Sequence, residues 1–402
     1  MNNSRKSAGN QLHICSLVLL ALYIFFSYTA QETLLPPFLH SMVMYLFIAW
    51  SFFVLICNKK FTVSYYTIWY LILMALAAVS FLWATNVVVS ALYTMMTSLI
   101  ITFCVIQALK STRDIDFIMV TFVVSAVIMG IMIIATGQLN ADERLGESIT
   151  GNANSFSALL MVAAILAVWL FTYRAKKWMK LLPFSSLLFI LYLMLMSGGR
   201  KTIIAVLVSW IVLAILKDIH RLPKTLFNLL KIAAIFIVLY LVVMKIPFFY
   251  NLVGQRFEGL FDLLSGKGSD VSGDETRKIL VEIGLKKWQE SPLLGFGLDT
   301  FKYYNRTVTG HFYYAHNNYV ELLFDFGLVG TILYYGFFVF LAYKIKKTWH
   351  TLSPYKALGV ALLVMMLIYD IGGISYYTVL MQIILSMVFV FAMMSSTAKE
   401  SK

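Results

Sequence analysis

Residues 316–347 read HNNYVELLFDFGLVGTILYYGFFVFLAYKIKK, and the fold turns on this stretch. From Tyr319 to Tyr343 it is apolar except for Glu321, Asp325 and small polar residues, long enough to cross a hydrocarbon core of about 30 Å. It ends on Lys344, Lys346 and Lys347, the basic flank expected on a cytoplasmic side, and it begins on three polar residues, His316, Asn317 and Asn318. One end of this span therefore anchors topology, and the other gathers groups capable of chemistry.

Runs of the same kind recur along the 402 residues, 60% of which are hydrophobic, with a mean hydropathy of +0.82. They read 14–28, 38–57, 64–83, 87–109, 115–136 and 155–173, then 181–196, 202–216, 226–244, 319–343, 355–369 and 375–394. The expectation is an all-α integral membrane protein of about 12 transmembrane helices, a single polytopic domain over 1–402, with one large extracytoplasmic loop at 245–318. The amino-terminal run lacks a small-residue cleavage site after Tyr28 and reads as a retained first helix. Cys15, Cys57 and Cys104 all fall inside apolar runs, which supports neither a disulfide framework nor a metal cluster.

With an even number of spans both termini share a side, and basic loops choose the cytoplasm. That side holds 20 of the 32 Lys and Arg but 4 of the 19 acids, so the excess of positive charge is a topology signal and nucleic-acid binding is not invoked. A soluble enzyme is excluded by composition. A transporter would place ionisable residues near the midplane of several helices and often repeat its halves; here the span centres are almost uncharged and polar groups concentrate at one face. A non-catalytic partner within a membrane assembly is the other rival, and it would tolerate loss of the groups described next.

The loops assigned to the outer face carry those groups. After the fifth span comes Ala141-Asp142-Glu143-Arg144-Leu145-Gly146, running on to Gly151-Asn152-Ala153-Asn154. After the seventh comes Ser197-Gly198-Gly199-Arg200-Lys201, in which two glycines allow a sharp bend and two cations sit at the membrane boundary. Arg200 and Lys201 either snorkel to lipid headgroups or capture an anion, for which a guanidinium fork suits phosphate oxygens.

Within 245–318, residues 275–288 have helical spacing, with Ile279, Leu280 and Ile283 on one face and Arg277, Lys278, Glu282 and Lys286 outside it, as in an interfacial helix capped by Asp274. Val281 and Leu285 fall off that stripe, and Gly284 weakens it. Ser291-Pro292-Leu293-Leu294-Gly295-Phe296-Gly297 reads as a tight turn, since a Gly-x-Gly without a preceding strand does not indicate a nucleotide. Phe301, Tyr303, Tyr304, Phe312, Tyr313, Tyr314 and Tyr319 either stack against sugars or mark the lipid interface.

His316 has an unperturbed pKa near neutrality and could take a proton from a hydroxyl; it could equally be a structural ring at a helix start capped by Asn317, and His311 is a second candidate. Glu321 and Asp325 follow on the same helix, where acids are costly unless they face polar surroundings, so one of them could orient the histidine or pair with an arginine.

Four of these motifs in order, Gly151-Asn152-Ala153-Asn154, Ser197-Gly198-Gly199-Arg200, Arg277 with Ser291 to Gly297, and His316-Asn317-Asn318-Tyr319 with Gly327 and Gly330, resemble the O-antigen ligase and polymerase superfamily across roughly 80–330. Gly199 stands where that family more often has serine. The resemblance implies a GT-C-like bacterial inner-membrane glycosyltransferase working on the outer face with a polyprenyl-diphosphate-linked glycan as donor. On that analogy His316 is catalytic, Arg200 and Arg277 hold the diphosphate, and Arg144, Arg256, Lys201, Asn317 and Glu321 support them. No metal and no cofactor are expected, and a chain-length regulator and a flippase are the expected partners in the same membrane. The family joins repeat units to one another or a finished polymer to a lipid core; the compact external loop favours polymerisation, and inversion at the anomeric carbon is expected because no covalent nucleophile is evident.

Overall fold

The computed structural model describes residues 2–31, 33–58, 62–137, 145–174, 177–218, 221–255, 258 and 274–394. Their regular structure is helical, with no strand among the described residues. Each expected apolar run overlaps a helix, the last of them, 375–394, only from Val379. Among the described residues, nine helices are long and apolar enough to cross a membrane: Asn10–Thr29, Phe38–Asn58, Tyr65–Leu82, Val89–Ala108, Thr112–Ala135, Ala153–Arg174, Leu222–Lys245, Asn318–Lys347 and Ser353–Asp370. Two more, Leu181–Ser197 and Val379–Met393, are apolar but shorter. Arg200–Lys217 has 18 residues and carries three cations, Arg200, Lys201 and Lys217, at its ends. The chain is thus a multi-pass membrane protein.

The helices group into two compact units, Met1–Phe61 with Cys104–Glu258, and Thr62–Phe103 with Gly259–Lys402. In the first, Ala153–Trp169 is buried along nearly its whole length and packs against Thr112–Ala135, Leu181–Ser197 and Arg200–Lys217. Its alanines at 153, 158, 163, 164 and 167 let neighbouring backbones approach closely, which is how helices associate where no aqueous driving force separates them. Gly130 does the same on Thr112–Ala135, where a Cβ would stand 2.4 Å from Leu193 Cδ1. Tyr28 ties the first helix in by donating its hydroxyl to Leu159 O at 2.8 Å.

In the second unit, Tyr65–Val79 lies against Asn318–Lys347, with the Trp69 and Phe337 rings stacked at 4.1 Å and Trp69 Nε1 donating to Leu333 O at 2.8 Å. Lys356 is wholly buried because its ammonium serves the free carbonyls at the end of Val379–Met393, donating to Ala392 O at 3.0 Å and Met394 O at 3.2 Å. The defining feature of this unit is a break. Asn318–Lys347 is interrupted at Gly327, whose φ of 61° and ψ of −158° lie outside helical space. In an unbroken helix Leu328 and Val329 would donate to the carbonyls of Phe324 and Asp325. Here Leu328 N donates to Pro292 O at 2.8 Å and Val329 N to Leu293 O at 3.2 Å, while Phe324 O accepts from Phe296 N and Asp325 O from Gly297 N, each at 2.8 Å. The segment 292–297 thus replaces two helical hydrogen bonds by four of its own.

This contact demands glycine on both sides. A Cβ at Gly327 would lie 2.3 Å from Leu293 C, and one at Gly295 would lie 2.4 Å from Phe324 O. Gly295 and Gly297 have φ of 65° and 103°, so the turn expected at 291–297 is present, but seated in a helix break. Gly327→Ala is expected to lower stability by roughly 3 kcal/mol through left-handed strain and collision with the 293–294 backbone. Gly336→Ala, in the same helix with nothing within 4 Å of the added carbon, should be neutral or stabilising. Thermal unfolding of both purified variants in detergent checks the contrast.

Candidate functional site

In the second unit the site is built from a helix start and the loop leading to it. Asn305, buried on the short helix Phe301–Thr309, donates from Nδ2 to His311 O at 2.8 Å and Tyr313 O at 3.3 Å, so the loop after Gly310 is pinned by its carbonyls. The loop ends at His316, a non-glycine residue with φ of 52°. Asn317 then caps the helix as expected, its Oδ1 accepting from Tyr319 N at 3.0 Å and Val320 N at 3.2 Å.

His316 is half-buried with the Tyr314 ring 4.0 Å away and the Tyr313 ring 6.4 Å away, centroid to centroid. His311 is exposed and stacks on Tyr313 at 5.5 Å. The Tyr314 hydroxyl is pushed above the usual phenol range first by burial and then by the charge of Glu321, while the Arg277 guanidinium pulls it down. It therefore stays protonated at neutral pH and can donate a hydrogen bond. Arg277, Tyr314, His316 and Glu321 are thus neighbours in one unit. Glu321 is fully buried and accepts from Ala315 N at 2.7 Å.

Arg277 reaches this cluster because its helix does not lie as the apolar spacing predicts. The helix Asp274–Trp288, which starts at Asp274 itself, packs on Asn318–Lys347 through Leu280, Gly284 and the half-buried Val281, whereas Ile279 is 43% exposed. Gly284 is the point of closest approach, where a Cβ would stand 2.4 Å from Val320 Cγ1. A hydrophobicity count scores glycine as a gap in the stripe, yet at a tight helix crossing it is the contact itself. Arg277, one turn before Leu280, lies half-buried on that side instead of outside it.

Beneath the cluster Asp325 organises the adjoining loop, its Oδ2 accepting from Asp299 N at 2.9 Å and Tyr376 OH at 2.8 Å. Asp299 pairs with Lys302; burial raises its carboxyl above the usual range and Lys302 opposes that rise. Asn318 has no role of its own in the sequence reading, yet it uses every polar position of its side chain. Its Nδ2 donates to Tyr335 OH at 3.0 Å and Asp370 Oδ2 at 3.2 Å, and its Oδ1 accepts from Ser375 N at 2.9 Å and Tyr376 N at 3.3 Å. An Asn-Asn pair at a span entrance is the signal: one suffices as a cap, so the second has other work.

In the first unit, Arg200 opens the helix Arg200–Lys217, and Arg200 and Lys201 are both half-buried. Gly198, with φ of 65°, ends the preceding helix, and Leu145 N donates to Met196 O at 3.1 Å, which draws the 145–154 loop beside this turn. Asn152 caps the helix that follows, its Oδ1 accepting from Asn154 N at 2.8 Å. Gly199 has a local reason: Ser157 hydrogen-bonds Thr202 beside it, and a Cβ at 199 would stand 2.2 Å from Ser157 Oγ. A serine there requires a different neighbour at 157. Arg144 and Arg256 lie outside the described residues.

The two asparagines of the site separate experimentally. Asn318→Ala is expected to cost roughly 3 kcal/mol, because the Ser375 and Tyr376 amides lose their acceptor in a buried place. Asn317→Ala, which removes a cap, should cost about 1 kcal/mol. Denaturation midpoints of the two variants in the same detergent measure the difference.

No curated protein matches the chain. Residues 185–335 match the family model described as O-antigen ligase, an interval that runs from the helix before Arg200 through Arg277, His316 and the Gly327 break. Over that interval the chain is similar to the O-antigen ligase family.

Proposed function

We propose that this protein is a glycosyltransferase of the cytoplasmic membrane, with both termini cytoplasmic, that polymerises polyprenyl-diphosphate-linked repeat units of a surface polysaccharide on the outer face. The observation that carries this reading is the cluster of Arg277, Tyr314, His316 and Glu321 in one unit, within the interval that matches the family. An acceptor hydroxyl attacks the anomeric carbon as the lipid diphosphate departs, so the chemistry needs proton removal and charge stabilisation. His316 takes the proton or orients the hydroxyl, and Arg277 holds the diphosphate; the sequence resemblance alone assigns Arg200, with Lys201 as support, to diphosphate binding as well. The Tyr314 hydroxyl adds a donor at the same place. The reaction uses no metal and inverts the anomeric centre, and a chain-length regulator and a flippase work alongside it in the membrane.

The test is transfer from a synthetic polyprenyl-diphosphate repeat unit by purified protein in detergent with EDTA. Wild type is expected to build a glycan ladder, and His316→Ala and Arg277→Ala to lower its rate on the order of 100-fold or more. A single transfer to added lipid core would make the protein a ligase. Undiminished transfer by both variants would remove the roles assigned to these residues, and suppression by EDTA would remove metal independence.

A further inference from the structure

We propose that Glu321 is a positioning residue, holding the loop that presents Tyr314 and His316 through the main-chain N–H of Ala315. The inference rests on the reading of His316 as the group that handles the acceptor hydroxyl, and it adds the device that keeps His316 in place. The side chain of Glu321 is wholly buried in the first turn of Asn318–Lys347, and its Oε2 accepts from Ala315 N at 2.7 Å. Its Oε1 is buried with no hydrogen-bond partner among the described residues.

A carboxylate buried on a single main-chain donor is an expensive arrangement. A negative group near a helix start gains from the helix dipole, but an exposed side chain would secure that without burial. What burial adds here is reach to one particular amide, and that amide lies between the two rings of the site. Ala315 is itself buried, so this bond is shielded from water.

The backbone beyond Ala315 explains why such a tether is needed. His316 sits at φ of 52°, a strained conformation for a residue with a β-carbon, which persists only when both sides are held. On the carboxyl side Asn317 caps the helix. On the amino side the Asn305 clamp reaches Tyr313, and Glu321 holds Ala315, the last residue before the strained one. Without Glu321 the Ala315 amide loses its acceptor, and the segment that carries Tyr314 and His316 loses that restraint.

Two conservative variants separate reach from charge. Glu321→Gln keeps an acceptor at the same distance without charge; Glu321→Asp keeps a carboxylate at the helix start but is one methylene too short. In the transfer assay Gln should stay within about fivefold of wild-type kcat, while Asp should lose on the order of 30-fold in kcat with donor KM changed less than about threefold. Hydrogen exchange of the full-length protein in detergent, read on a peptide covering 312–317, should speed up at least tenfold at Ala315 in Glu321→Asp and remain near wild type in Glu321→Gln. If Gln is as slow as Asp, Glu321 acts by its charge or as an acid–base group, and the proposal falls. It falls equally if Asp keeps wild-type kcat, or if exchange at Ala315 is unchanged in Asp. His316→Ala run alongside tests the underlying reading: full activity there removes the role of His316, while the exchange data still report on the tether.

Discussion

The second unit depends on a trade of backbone hydrogen bonds. At Gly327 a membrane-length helix gives up the bonds from Leu328 and Val329 to Phe324 and Asp325, and the segment 292–297 satisfies all four groups. In a low-dielectric interior each orphaned amide or carbonyl costs several kcal/mol, so irregular backbone at such a place survives only when protein supplies every partner. The exchange therefore locks two elements far apart in sequence into one register. The helix Asp274–Trp288 enters directly before the inserted segment, and His316 stands directly before the broken helix. Their mutual position follows from the break.

Around that joint, residues without side chains matter as much as those with them. Gly284 brings the Asp274–Trp288 helix against Val320, and Gly295 and Gly327 let two backbones meet; separately, within the first unit, Gly199 makes room for Ser157. Each is a place where a β-carbon would collide at 2.2–2.4 Å. Close backbone approach shortens the distance over which a side chain must reach, so arginine and histidine groups borne on separate elements can share a cluster.

The buried acids show a second division of labour. Asp325 accepts from main-chain amides and a tyrosine hydroxyl and organises the turn at Asp299 and Thr300. Glu321, one turn earlier, accepts from the Ala315 amide. Both turn the cost of a carboxylate in an apolar helix into a constraint on a neighbouring loop. Loops bearing chemistry tend to be mobile, and here the restraint comes from the rigid helix below.

The sequence by itself determined the membrane class, the helical runs, the ordered motifs and the cap at Asn317, because each follows from hydropathy, glycine and asparagine chemistry acting over a few residues. His316 and Arg277 were legible as candidates for the same reason: ionisable groups stand out against an apolar chain. Only the tertiary structure decided that Arg277 turns inward beside Tyr314, that Asn318 is a fully used buried amide, and that Glu321 grips Ala315. Those facts depend on which surfaces meet, and a glycine that permits a helix crossing looks, along the chain, like a flaw in an apolar stripe. The expected interfacial face at Ile279 missed for that reason. Periodicity records what a residue's side chain prefers, whereas packing also rewards the absence of one.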